Sequence, residues 1–182
     1  AYARYWQSLA LYQLEEEKAA EKAIKKSIKT LEEIEKTDSE ALALHSTVTG
    51  FSIQFSMWKA PFLGNKAESL AKEAIAADAE NPRAYLALAR NSYYKPAMFG
   101  GGEGVEENLL KVLSLSAATD KSAANPVWGL PEAFFLLASH YRNEERPEEA
   151  LLYCKKGLKQ FPDDYRLGQL LKKLEPSGTT GR

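Results

Sequence analysis

Apolar residues recur every three or four positions along most of this chain, the spacing that collects side chains on one face of an α-helix. The segment FFLLASHYRNEERPEEALLYCKKGLKQFP holds two such amphipathic stretches, joined between Asn143 and Pro147, where proline can open the second helix. Composition agrees with this pattern, because the chain has only four valines and five isoleucines against long stretches rich in Ala, Leu, Glu and Lys. The pattern predicts helical hairpins and essentially no sheet.

The same apolar face returns at intervals along the chain. The anchor positions, where the second helix of each hairpin packs closely, are Ala20, Ala67, Val105 and Ala150. Their separations are 47, 38 and 45 residues, longer than the roughly 34 residues of a bare helix–turn–helix repeat. The surplus predicts inserted loops, which we expect at Met57 to Gly64, Lys95 to Gly104 and Ser116 to Leu130.

The last hairpin carries a specific set of residues. A large aromatic, a leucine, a small residue and a tyrosine precede an alanine and a closing proline, at Phe134, Leu137, Ala138, Tyr141, Ala150 and Pro162. This set resembles the tetratricopeptide repeat, and no insertion interrupts it between Phe134 and Ala150. The resemblance implies an all-α fold, a right-handed α-solenoid of about four such hairpins with a C-terminal capping helix.

These repeats predict one continuous domain over residues 1–175. A single hairpin cannot bury its apolar face alone, so neighbouring hairpins should stack. The approximate units are 1–37, 38–81, 82–117 and 131–162, with a capping helix at 163–175 and a flexible tail at 176–182.

Charge and composition narrow the class of protein. The formal net charge of −1 gives no global attraction to nucleic acid or anionic membranes, and no apolar run approaches the roughly 18 residues that span a bilayer. We therefore expect a soluble protein with no nucleic-acid partner and no membrane insertion. The single Cys154 excludes an intramolecular disulfide. The chain begins at Ala1, which slightly favours an exported or periplasmic location, while compartment and oligomeric state stay open.

The glycine-rich stretch YYKPAMFGGGEG, from Tyr93 to Gly104, is the first candidate for chemistry. A phosphate-binding loop needs a lysine and a hydroxyl after its glycines, and GGGEGVEEN supplies neither. His45 and His140 are distant in sequence, and neither stands near a second metal-ligating residue at helical spacing. Cys154 lies on a predicted buried face without a neighbouring base. We predict no catalytic residue, no metal site and no cofactor, and hence no enzyme.

Tetratricopeptide repeat proteins are usually binding scaffolds whose first helices line a concave groove, and the resemblance implies the same role here. The residues predicted to bind the partner are Arg83, Arg90, Tyr93, Ser139 and Arg142 at groove positions, with Tyr94 beside them as a ring that can stack. Arg83 and Arg90 are seven residues apart and share a helix face, which together with Arg142 favours an acidic protein or peptide partner. In the alternative interpretation, these arginines pair with Glu132 and other local carboxylates.

Two of the inserted loops form a second candidate surface. WKAPFLGN and KPAMFGGG both hold lysine, proline, an aromatic residue and glycine, and their large apolar side chains are Trp58, Phe62, Met98 and Phe99. We expect the loops to pack on each other; alternatively they form an exposed rim for a partner, or an apolar small-ligand-binding or assembly module. The sequence therefore predicts a non-enzymatic scaffold that binds a protein or peptide through the concave groove, the aromatic loops, or both.

Overall fold

A computed structural model describes residues 1–35, 37–118 and 128–175, and within these ranges it contains helices and no strand. The α-helices are α1 (Tyr2–Gln13), α2 (Glu17–Glu32), α3 (Ser39–Ser52), α4 (Ala60–Ala77), α5 (Pro82–Tyr94), α6 (Val105–Ala118), α7 (Leu130–Asn143), α8 (Pro147–Gln160) and α9 (Tyr165–Leu174). The predicted all-α class is confirmed. The predicted tail at 176–182 and most of the predicted insertion from Ser116 to Leu130 lie outside the described residues.

Consecutive helices pack as pairs, α1 with α2, α3 with α4, α5 with α6, and α7 with α8. Contacts between neighbouring pairs join α2 to α3, α4 to α5 and α6 to α7, and α9 covers the last pair by packing on α7 and α8. The hairpins therefore stack in chain order, and each buries the apolar face that it cannot bury alone.

The turns of the first and fourth hairpins share one backbone geometry. Glu15 and Glu145 are the two residues other than glycine with positive φ in the described chain, at 62° and 57°. In both turns the next residue donates its backbone N–H to the carbonyl five positions earlier, at 2.9 Å. Because the same short turn recurs so far apart in sequence, these hairpins are copies of one structural unit.

The anchor positions of the first two hairpins make the same buried contact. The Ser8 hydroxyl of α1 donates to the Ala20 carbonyl at 2.7 Å, and the Ser46 hydroxyl of α3 donates to the Ala67 carbonyl at 2.7 Å. Both alanines are fully buried. The first helix of the second hairpin matches the repeat pattern weakly in sequence, yet this hydrogen bond places the two helices of that hairpin as in the first.

Small residues permit the closest helix approach in the fourth hairpin. Ala138 and Ala150 are fully buried, as the repeat pattern predicts. A Cβ atom added at Gly157 would lie 2.8 Å from both the Phe134 Cβ and the Leu167 Cδ1, so glycine is required where α8 meets α7 and α9.

The two aromatic insertions differ from each other, contrary to the sequence interpretation. Pro61 lies in the first turn of α4, so Phe62 to Gly64 are helical rather than part of a loop. Proline is well accommodated there because the first backbone N–H groups of a helix have no partner inside it. Lys95–Pro96 instead follows the end of α5 at Tyr94, as predicted, and a short 3-10 turn continues from Ala97 to Phe99.

Candidate partner-binding surfaces

Side chains from the first helices of three hairpins meet on one inner surface. We call the surface that the first helices α1, α3, α5 and α7 share the concave face. Arg90 of α5 donates to the Tyr5 hydroxyl of α1 and forms an ion pair with Glu132 of α7 at 3.3 Å. The Arg90 guanidinium also lies over the Tyr94 ring, 5.9 Å from its centroid. Polar contacts within the chain therefore bridge α1, α5 and α7 across the concave face at Arg90.

Burial sets the electrostatics of this cluster. Loss of water around Tyr5 raises the pKa of its hydroxyl to about 12, although Arg90 opposes the rise. Burial disfavours the charge on Arg90, but Glu132 and Tyr5 outweigh this, so the pKa of the guanidinium is raised. Arg90 therefore stays charged, and its charge interacts with Glu132 and Tyr5 of the same chain.

Arg83 takes part in a second bridging cluster, centred on Glu40 of α3. Arg83 Nε contacts Glu40 Oε2 at 2.6 Å, and Asn81 Nδ2 donates to the same oxygen at 3.2 Å. Trp128 Nε1 donates to the other oxygen, Oε1, at 2.7 Å. The carboxylate thus receives charged and neutral donors from three residues in two parts of the chain, and it links α3 to the start of α5 and to the residues just before α7.

The other predicted groove residues belong to the end of α5 and to α7. The Tyr93 and Tyr94 rings meet edge to face with centroids 5.0 Å apart, and Tyr94 is exposed. Arg142 is exposed and contacts the Asn143 side-chain oxygen at 3.3 Å. Ser139 is buried and presents little surface to a partner. The pairing of arginines with Glu132 and another carboxylate, which the sequence left open, is observed for Arg90 and Arg83.

Two sets of exposed apolar side chains lie between the helices of the second and third hairpins: Met57, Trp58 and Phe62 at the start of α4, and Met98 and Phe99 between α5 and α6. We call the five residues together the apolar edge. These five side chains are between 59% and 83% exposed. Lys59 lies over the Trp58 ring at 4.8 Å, and Lys95 reaches Glu68 of α4 at 3.3 Å. The apolar edge therefore combines large apolar side chains with charged groups around them.

The expectation that the two insertions bury these side chains against each other is wrong. Phe62 is 69% exposed, and Met98 and Phe99 are likewise exposed. The cause is local: Phe62 belongs to the first turn of α4, and Met98 and Phe99 belong to a 3-10 turn of three residues with no buried member. Phe62 therefore stands at the exposed beginning of a long helix, and the 3-10 turn is too short to fold Met98 and Phe99 back onto the hairpin.

The glycine-rich stretch closes a turn rather than cradling an anion. Gly100, Gly102 and Gly104 have positive φ, which glycine adopts without steric cost. The N–H groups of residues 100, 101 and 102 already donate to carbonyls of Ala97, Pro96 and Ser92. A Cβ atom at Gly101 would overlap the Lys95 carbonyl, so the stretch is a tight reversal between α5 and α6.

The remaining candidates for catalysis or metal binding are either buried in the core or have no neighbouring group that catalysis would need. Cys154 is fully buried, its thiol donates to the Leu167 carbonyl at 3.3 Å, and burial raises the pKa of the thiol. His140 is half-buried beside Tyr141. Across the described residues, no group of three His, Cys, Asp or Glu is arranged to hold a metal ion. None of the described helices is long and apolar enough to cross a membrane.

We expect His45 to make the protein less stable in mild acid. It is buried in α3, its Nε2 has no hydrogen-bond partner, and burial together with Lys66 lowers its pKa, while Glu32 opposes the shift. The folded chain keeps His45 neutral at a pH where the unfolded chain already binds a proton. The contribution of His45 to the free energy of unfolding is therefore fully present above about pH 6.5. It decreases as the pH falls towards the lowered pKa of His45.

The measurement is urea unfolding at several pH values between neutrality and about pH 5, the range in which the histidine titrates. We expect His45→Gln to flatten the decrease in unfolding free energy, and His140→Gln to retain it. An unchanged decrease in His45→Gln would show that other groups cause it.

Sequence reasoning missed three residues of the concave face: Tyr5, Glu40 and Trp128. Tyr5 and Glu40 lie in first helices from which the sequence predicted no partner-binding residue. Trp128 stands in an insertion, where the repeat pattern makes no prediction. An aromatic residue within an otherwise small and polar insertion was the one available signal.

Comparison with known proteins identifies the fold. No protein-family model matches the chain, and no curated protein matches it. The chain is similar to the crystal structure of MamA protein, with a TM-score of 0.53 and 16% identity, over 92% of this chain and 76% of that one. It is also similar to TTC0263, a thermophilic TPR protein in Thermus thermophilus, with a TM-score of 0.50 and 18% identity, over 94% of this chain and 97% of that one. This likeness shows the fold alone, which is that of a tetratricopeptide-like helical repeat protein.

Proposed function

We propose that this protein is a scaffold without enzymatic activity that binds a protein partner, and that the apolar edge is its principal contact surface. The observation that carries the proposal is the exposure of five large apolar side chains on two insertions of consecutive hairpins. Monomeric proteins rarely expose apolar side chains in such groups unless a partner covers them. Insertions in repeat proteins commonly lie on the binding side.

The exposure also favours a macromolecule over an apolar small ligand. Small-molecule sites are concave and bury most of the ligand surface. Trp58 and Met98 are 82% and 83% exposed, so these side chains project outward and do not enclose a cavity. Projecting aromatic and methionine side chains suit insertion into a pocket or groove of a partner, where each would lose its water.

The concave residues predicted from the sequence provide a second proposed surface. Tyr94 and Arg142 are exposed there, and they are the positions from which an acidic segment could be held by a cation and a ring. Arg83, Arg90, Tyr93 and Ser139 would contribute by positioning these two, since their own side chains are half-buried or buried.

The test is affinity capture from the source cells with three variants, followed by binding measurements with the captured protein. We expect Trp58→Ala with Phe99→Ala to weaken binding at least about tenfold, because exposed aromatic anchors contribute when a partner desolvates them. The melting temperature should stay unchanged, since both side chains are exposed in the free protein.

Tyr165→Ala is the matched control, because Tyr165 is 76% exposed on α9, away from the apolar edge. It should bind as the wild type does. Tyr94→Ala with Arg142→Ala tests the concave face. If the partner stays bound to the Trp58 and Phe99 variant and is lost from the Tyr94 and Arg142 variant, the apolar edge is not the principal surface.

A further inference from the structure

Trp128 lies on the concave face although it belongs to the residues just before α7. Its ring is 5.5 Å from the Tyr2 ring of α1, and it packs on the buried cluster that includes Tyr5, Leu44 and Val48. These residues come from the first two hairpins, whereas α7 opens the fourth. The indole therefore fills a place on the concave face that is formed by distant helices.

The polar groups around Trp128 match an indole at both its edge and its face. The indole N–H donates to Glu40 Oε1 at 2.7 Å, and the Arg83 guanidinium lies 5.8 Å from the ring centroid. Arg83 and Asn81 hold the other Glu40 oxygen at 2.6 Å and 3.2 Å, so the acceptor is fixed in position before it meets the indole. A carboxylate for the N–H and a cation for the π face favour an indole over a phenylalanine ring, because phenylalanine has no donor.

The backbone beside Trp128 also lies directly against the concave face. Gly129 has a φ of 96°, and a Cβ atom there would come within 2.5 Å of the Leu86 Cδ2 of α5. A side chain at this position would thus displace the end of the Leu86 side chain. The Trp–Gly pair contacts α1, α3 and α5 as a short bound segment would, with one anchoring ring and a close backbone approach.

We propose that the concave face contains an indole-binding site formed by Glu40, Arg83 and Tyr2. Trp128 occupies this site within the chain, and a tryptophan of a protein partner occupies it when Trp128 is displaced. The site is separate from the apolar edge, so the inference goes beyond the proposed function and does not depend on it. Its ligand class is a tryptophan side chain in a segment that can approach α5 closely.

The experiment removes the Trp128 side chain from the site and adds a small indole compound as the ligand. Trp128→Ala in the full chain is titrated with N-acetyl-tryptophanamide, and binding is followed by calorimetry and by the melting temperature. We expect saturable binding with a rise in melting temperature for the variant, and no such binding for the wild type, whose own indole fills the site.

A probe methylated on the indole nitrogen serves as the matched control. It keeps the ring and loses the donor to Glu40, so we expect it to bind Trp128→Ala about tenfold more weakly or worse, as for loss of a hydrogen bond to a charged group. Equal binding of the two probes would overturn the recognition by Glu40. A folded Trp128→Ala that binds neither probe would overturn the site.

If Trp128→Ala does not fold, Trp128→Phe replaces it, because phenylalanine retains apolar contact but cannot donate to Glu40. N-acetyl-tryptophanamide should then compete with the weaker internal ring and bind this variant more tightly than it binds the wild type. Loss of the fold in both variants would show that Trp128 is a structural core residue and would overturn the proposal.

Discussion

Replacing Arg90 with methionine is expected to lower the unfolding free energy by about 3 kcal/mol, because Glu132 loses its ion-pair partner where little water can replace it. The Arg90 and Glu132 side chains are only 11% and 19% exposed. Tyr5 loses a hydrogen-bond partner in the same variant, and its side chain is buried. Urea unfolding monitored by circular dichroism measures the change.

Two further variants separate the ion pair from simple packing. Arg142→Met, at an exposed arginine on the same face, should change stability by less than about 0.5 kcal/mol. Arg90→Met combined with Glu132→Leu should recover part of the loss, because removing both charges leaves no unpaired charge, although the Tyr5 hydroxyl still lacks the Arg90 hydrogen bond. Equal losses in the Arg90 and Arg142 single variants would contradict the bridging role that the structure gives Arg90.

Enlarging Ala138 or Ala150 to leucine is expected to destabilise the fourth hairpin by about 1–3 kcal/mol in each case. Both alanines are fully buried, and Gly157 in the same hairpin has no room for a single added carbon atom. The extra side chain must push α7 and α8 apart, because close-packed interiors hold few voids to receive it.

The matched control for these variants is Ala10→Leu, since Ala10 is exposed on α1. It should leave the unfolding free energy within about 0.5 kcal/mol of the wild type. Unchanged stability in both Ala138→Leu and Ala150→Leu would mean that these positions are not the close contacts of the hairpin.

The helices and anchors of this fold were predictable because one physical cause controls both. Ala20, Ala67, Val105 and Ala150 are all fully buried, as their recurrence on one helix face indicates. Helix packing demands a small or compact residue at the closest contact, and that demand is visible as a period in the sequence. The turn after α5 was equally predictable, because Lys95–Pro96 disfavours further helix.

The candidate surfaces were less predictable because they depend on contacts between distant segments. Nothing local to Trp128 shows that it reaches Glu40, which precedes it by 88 residues. The prediction for the apolar edge was wrong for a different reason. Phe62 and Phe99 are apolar like core residues, but they lie at positions that no neighbouring element covers. Composition indicates which side chains are apolar, whereas exposure depends on the assembled hairpins.

The central claim is that the concave face is filled by the chain's own side chains near Trp128, while the apolar edge is open. Three tryptophans make this directly measurable. One variant carries Trp6→Phe and Trp128→Phe and retains Trp58; the other carries Trp6→Phe and Trp58→Phe and retains Trp128. Acrylamide quenching of their fluorescence should be strong for Trp58, which is 82% exposed, and several-fold weaker for half-buried Trp128. Equal quenching of the two tryptophans would contradict the account.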